Sequence, residues 1–271
     1  MDQLQIFYPN VQSAYQQITS TVNGKVKQLI RSNWIAEFHV GYGERLPTLS
    51  ENFGFYLFNR YDGFDYIGQP DLVSEKNWST NLTLSYFTDH IQLTATGFYN
   101  YLPDYIFSRI HPELSVMTPG ANGVKIYENI PSATLVGGEA SVLANFLKNF
   151  QFITALKYTH GQDFEGTPLP LIPPLTSNTT LRFSIKNFNI QLENESASSQ
   201  QNVSPFYGED ETDGYSIFNL RSGYKINWNR KQLYVNAGIE NMFDKNYHNH
   251  LDWGNLPRPG RNINVTIEFV F

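Results

Sequence analysis

The sequence predicts an all-β protein built as an antiparallel up-and-down transmembrane β-barrel, and three observations carry that prediction. The first is the last stretch, Arg261 to Phe271. There Ile263, Val265, Ile267, Phe269 and Phe271 alternate with Asn262, Asn264, Thr266 and Glu268. Side chains alternate faces along a strand, so this segment has one apolar and one polar face. It is also about as long as a tilted strand needs to cross a hydrocarbon core. The second observation is a regular alternation of tight turns with long polar or Pro/Gly-rich connections, the hairpin asymmetry of outer-membrane barrels. The third is composition: aromatic residues make up 15% of the chain and charged ones 16%, with no apolar run of eighteen residues to form a spanning helix.

Taken in order, an uncertain first strand covers about Val11 to Val22. Asn23-Gly24 then gives a strong two-residue hairpin signal. Thr88-Asp89, Lys148-Asn149 and Lys186-Asn187 punctuate later alternating runs, and Asn227-Trp228-Asn229-Arg230 makes a slightly longer turn. The long connections fall at about 43–76, 107–131, 161–174, 198–214 and 244–260. Between them the alternation recurs. Leu82, Leu84 and Tyr86 oppose Asn81, Thr83 and Ser85; Ile91, Leu93 and Ala95 oppose Gln92, Thr94 and Thr96. Leu181, Phe183 and Ile185 oppose Arg182, Ser184 and Lys186, and the same holds for 188–193, 218–226 and 233–240. One such strand also fits a solvated sheet; charges confined to one face over successive hairpins favour the barrel. The count is ten or eleven strands. Single-chain barrels usually have an even number, so an odd count suits part of a larger one. Aromatics near strand ends, Trp34, Tyr42, Trp78, Tyr99, Tyr101, Tyr105, Tyr158, Tyr215 and Trp228, fit interfacial girdles; aromatics packed in a soluble β core account for any one of them equally well.

Composition narrows the function classes. There is no cysteine, hence neither a disulfide framework nor a thiolate metal site. A net charge of −6 argues against nucleic acid as a partner, since phosphate binding wants a basic stripe. The start, Met1-Asp2-Gln3-Leu4-Gln5, shows no secretory signal. The expectation is that these residues are the C-terminal piece of a longer, exported chain.

The run Gly238-Ile239-Glu240-Asn241-Met242-Phe243-Asp244-Lys245-Asn246-Tyr247, with Arg258-Pro259-Gly260-Arg261 and the terminal Phe271, resembles the C-terminus of TonB-dependent receptors. Gly43 to Glu51 is similar to that family's extracellular segment after a mid-barrel strand. Gly68-Gln69-Pro70-Asp71-Leu72 with Glu75-Lys76 resembles its N-P-x-L-x-P-E signature, and Gly137-Gly138-Glu139 its x-G-x-E strand. The resemblance covers about 40–271 and implies the C-terminal half of a barrel of about twenty-two strands in a bacterial outer membrane. It implies TonB-dependent uptake of a siderophore, metal complex or similar bulky solute. Residues 1–271 are expected to lack the plug domain and TonB box, so that TonB would act only through a plug outside them. The remaining partners are outer-membrane lipid and the barrel-assembly machinery, for which Phe269 and Phe271 stand as the assembly signal.

Candidate ligand-binding residues come from the long connections. His111, Met117, His160, His248, His250, Tyr66 and Trp253 fall in or beside them. His248 and His250, two residues apart, have a spacing that can reach one metal from an extended loop; polar loops also accumulate His and Asn without any ligand. Tyr66 and Trp253 either stack on a solute or pack the loops together. Arg182, Arg221, Lys225, Glu240 and Glu268 are expected on the lumen side. Asp244, His248, His250 and Asp252 are the residues a rim hydrolase would use, but no nucleophile motif such as Gly-x-Ser-x-Gly accompanies them. The expectation is therefore no enzyme and no cofactor. The rival readings are a soluble all-β carbohydrate-binding module and a small self-contained outer-membrane barrel or porin.

Overall fold

The computed structural model describes residues 7–9, 18–229 and 231–271. Eleven strands lie side by side in chain order: β1 (Thr21–Arg31), β2 (Trp34–Arg45), β5 (Glu75–Phe87), β6 (Ile91–Ile110), β7 (Val124–Phe146), β8 (Phe150–Asp163), β9 (Thr176–Ile185), β10 (Phe188–Ala197), β11 (Tyr215–Trp228), β12 (Lys231–Glu240) and β13 (Asn262–Val270). Each pairs antiparallel with its neighbours, and β1 does not meet β13, so the sheet stays open. Between β2 and β5 the chain makes a short helix, α1 (Leu49–Phe53), and two short strands, β3 (Leu57–Asn59) and β4 (Phe64–Ile67). β4 runs parallel to the start of β7, pairing Asp65 with Val124 and Ile67 with Ile126.

The register turns the one-dimensional alternation into two faces. Across six strands, Phe152, Leu181, Leu192, Leu220, Ile239 and Ile263 lie in one row. The adjacent row, on the opposite face, is Gln151, Arg182, Gln191, Arg221, Gly238 and Asn264. On the other half of the sheet Glu37, Thr83, Thr96, Glu139 and Lys157 form a polar row. Apolar side chains stay uncovered on the first face: Leu82 is 58% exposed, Ile263 69% and Ile267 67%. In water such a contiguous apolar surface would be a liability; in hydrocarbon it is the stable arrangement.

The buried residues gather at one end instead. Leu102, Ala133 and Leu169 pack with Tyr105, Leu135 and Ile172, and Ile67, Val124 and Ile130 are buried close by in sequence and pairing. This is the end that carries the long connections. They run over residues 46–74, 111–123, 164–175, 198–214 and 241–261, whereas residues 32–33, 88–90, 147–149 and 186–187 close the other end.

Several boundaries differ from expectation. Asn23-Gly24 is no turn: it lies inside β1, opposite Gly41 and Val40, and the chain reverses at Ser32-Asn33. A local Asn-Gly signal yields when both flanks have a continuous partner strand. Asn227 and Trp228 belong to β11, paired with Gln232 and Lys231. The connection placed at 107–131 shrinks to 111–123 because β6 and β7 extend far beyond the span a membrane needs. His90 sits in the turn before Ile91. Most of the uncertain strand at Val11 to Val22 lies outside the described residues.

Candidate functional site

The five long connections are tied to one another rather than splayed. In 46–74, Thr48 and Glu51 cap α1 reciprocally, Glu51 N–H donating to Thr48 Oγ1 at 3.2 Å and Thr48 N–H to Glu51 Oε2 at 2.6 Å. Burial alone would raise the Glu51 carboxyl, but the Arg45 guanidinium and the hydrogen bonds from Thr48 together outweigh it and hold the group below its usual range. Arg45 also pairs with Glu75 at 3.1 Å, and Glu75 accepts the Ile106 N–H at 3.1 Å, joining β2, β5 and β6.

Asp62 forms the centre of the cluster. Its Oδ2 lies 2.5 Å from both Lys125 Nζ and the Tyr66 hydroxyl. Lys125 donates further to the Phe206 carbonyl and stands 4.2 Å from the Phe64 ring centroid. Asp65 accepts the N–H groups of Met117 and Thr118, each at 2.9 Å. Glu209 accepts from Leu171 N–H and from Ser204 N–H, the latter at 3.0 Å. His250 bonds Thr212 Oγ1 through Nδ1 at 3.1 Å and presents Nε2 to Glu209 at 3.7 Å. Burial holds the His250 imidazole below its ordinary value, Glu209 opposing and His248 adding to the shift.

Beneath this cluster, on the charged face of the sheet, lies a cavity of about 460 Å³. The upper ends of β9, β10 and β11 supply Thr176, Asn178, Glu195 and Tyr215; the last connection supplies Asn249, His250, Asp252 and Arg258. The Tyr215 hydroxyl lies between Glu195, at 3.2 Å, and Asn249. Arg258 grips Asp252 with two bonds, 2.7 and 2.8 Å. That guanidinium, helped by the Asn249 N–H, pulls the Asp252 carboxyl down to about 2. A cavity of this size with a few convergent polar groups suits recognition of one moiety of a solute.

The expected site residues separate here. His250 lines the cavity but is itself buried and bonded, and His248 Nε2 is buried without a partner. His160 lines a second, smaller cavity of about 190 Å³ with Pro174 and Gln200. His111 pairs with Glu113 at 2.8 Å, and Met117 projects outward, 61% exposed. Tyr66 is buried, its hydroxyl given to Asp62, so it packs the connections together. Trp253 begins a 3-10 turn, Trp253–Asn255, and its side chain lies outside the description. Among the described residues no three His, Cys, Asp or Glu side chains gather to hold a metal. Arg221 bridges Glu193 and Glu240 at 3.2 and 2.9 Å. Arg182 bonds Gln191, Lys225 lies over the Tyr234 ring, and Glu268 is paired across from Tyr234. Glu195 and Asn249 were not singled out from sequence, and Tyr215 read only as a strand-end aromatic; their convergence depends on which strands adjoin.

The family model described as TonB dependent receptor-like, beta-barrel, matches residues 7–242. No curated protein matches the chain. Among solved structures it is similar to the copper transporter OprC, with TM-score 0.75 and 20% identity over 91% of this chain and 39% of that one. It is similar to a mutant ferric enterobactin receptor, PfeA, of Pseudomonas aeruginosa in complex with enterobactin, with TM-score 0.74, 19% identity, and 91% and 40% covered. The siderophore receptor PirA of Acinetobacter baumannii gives TM-score 0.71 at 18% identity, again over 91% and 40%. The chain thus spans about two fifths of the length of these structures. At such identities the likeness shows the fold.

Proposed function

Because the chain belongs to the TonB-dependent receptor β-barrel family, we propose that it forms the C-terminal half of the barrel of a bacterial outer-membrane receptor that takes up a siderophore, metal complex or similarly bulky solute. One observation carries this reading. An open eleven-stranded sheet with an apolar outer face presents five mutually tied connections above a polar-lined cavity, all at one end. The similar structures, a copper transporter and receptors for ferric enterobactin and siderophores, support the solute class.

In this reading Arg182, Arg221, Lys225, Glu240 and Glu268 face the lumen and Phe269 and Phe271 serve barrel assembly. Solute contacts come from the cavity residues, from His160, and from the exposed His111 and Met117. TonB acts through a plug domain and not through this sheet. The role in this reading is binding and passage. Uptake of radiolabelled ferric complexes by iron-starved cells producing the full receptor, with and without TonB, tests the proposal. TonB-dependent accumulation is expected; accumulation unaffected by loss of either protein would overturn it.

A further inference from the structure

From the charge around the mouth we infer which solutes this receptor selects: complexes carrying a positive charge or peripheral ammonium groups, rather than polyanionic ones. The inference rests on the proposed receptor role and sharpens it. The five connections hold twelve Asp and Glu against four Lys and Arg, while the rest of the chain holds thirteen against fifteen. The negative charge of the protein is therefore concentrated at one end of the sheet, over the cavity. Connection 198–214 alone contributes Glu209, Asp210, Glu211 and Asp213 with no cation at all.

Ion pairing cancels one carboxylate for each cation and so leaves the excess standing, with Arg60 and Lys245 the two connection cations that form no ion pair among the described residues. Arg258 is committed to Asp252, and Arg261 lies 3.9 Å from Asp244. Of the strand cations at this end, Lys125 is buried against Asp62, and Lys76 pairs with Asp104 at 2.5 Å. Inside the cavity the position is the same. Its guanidinium is neutralised, whereas Glu195 has the Tyr215 hydroxyl as partner and no ion pair among the described residues. A solute entering there meets one uncompensated carboxylate under a mouth of like sign. Such a field concentrates cations and repels anions before contact, and salt screens it. A complex with several negative charges would need a free guanidinium or ammonium to neutralise it, which this cavity does not supply.

The test uses the full receptor chain in outer-membrane vesicles and three iron complexes. One is a ferric linear tris-hydroxamate with a terminal ammonium, the second its neutral N-acetylated form, and the third a triply negative ferric tris-catecholate. The expected order of affinity is cationic, neutral, anionic. The step from cationic to neutral is about tenfold at low salt, the effect of one charge facing one carboxylate, and it shrinks as salt rises. Glu195→Gln should narrow that step, and a salt series on the unaltered receptor gives the same answer without a variant. Equal affinities, or tightest binding of the tris-catecholate, would overturn the inference and leave the receptor role standing. Binding of none of the three would overturn the receptor role and the inference with it.

Discussion

Lys125 Nζ and Asp62 Oδ2 meet at 2.5 Å with both side chains fully buried, sixty-three residues apart in the chain. β4 lies parallel to β7 and sets Tyr66 opposite Lys125; Asp62 reaches the same spot from the turn just before it. Loss of one partner of a buried pair strands the other charge and costs about 3–5 kcal/mol, while replacing both by apolar residues is often near neutral. Asp62→Ala should therefore release residues 46–74 and 198–214 to rapid hydrogen exchange, and Asp62→Leu with Lys125→Met should restore most protection. A double variant as labile as the single one would show that the pair does more than satisfy itself.

Facing can be read by charge insertion. Ile267→Arg, on the apolar face, should cost about 2–4 kcal/mol in a bilayer-folding assay if the site is near the midplane. Thr266→Arg, one residue away on the polar face, should cost far less. Similar penalties would contradict the assignment of faces.

The buried imidazole makes the mouth sensitive to acid. In the open state His250 titrates near 6.5; in the closed cluster burial holds it lower, in spite of Glu209. The open form thus binds a proton first, and closure is favoured fully only above about pH 6.5, weakening as pH falls toward the closed-state value. Hydrogen-exchange protection in 198–214 and 241–261, corrected for the intrinsic slowing of exchange in acid, should fall as the pH is lowered through about 6.5, and His250→Gln should flatten that profile. An unchanged profile in the variant would place the titration elsewhere.

Asn241 holds the root of the last connection. It is 3% exposed with φ of 46°, and its side-chain nitrogen donates to the carbonyls of Lys245 and Pro259. Its Oδ1 accepts the Lys245 N–H at 2.8 Å. Asn241→Ala loses these bonds and puts a residue poorly suited to positive φ in that place, for about 2–3 kcal/mol. Asn241→Gly keeps the backbone and should lose less. Limited proteolysis within 241–261 measures both, and a Gly variant cut faster than the Ala one would rule out the backbone part of the explanation.

Much of the wall was legible because alternation and pairing obey the same period. The turns at Thr88-Asp89, Lys148-Asn149 and Lys186-Asn187 fall between strands where the sequence puts them, and Lys148 and Lys186 take positive φ. Asn23-Gly24 misled because a dipeptide states a local preference and says nothing of the partner strand. The mouth was less legible. Its buried pair, Asp62 and Lys125, looks in sequence like two ordinary polar residues, and only the parallel docking of β4 on β7 removes them from water. Glu195 and Tyr215 likewise sit in separate strands whose ends converge only once the register is set. The Asn241 to Arg261 resemblance, by contrast, has a visible cause: Asp244 Oδ1 accepts the Arg261 N–H at 2.7 Å, joining both ends of the motif.

The strand order has a consequence for how such a protein diversifies. With every main strand beside its chain neighbour, the wall is modular: a hairpin exchanged for another of equal register leaves the rest undisturbed. The mouth is not modular. Residues 198–214 complete the surroundings of Lys125, Leu171 and His250, which belong to three other segments. A transplant of that segment alone would leave a buried ammonium, an amide and an imidazole short of partners, so functional recombinants should inherit the connections as a set.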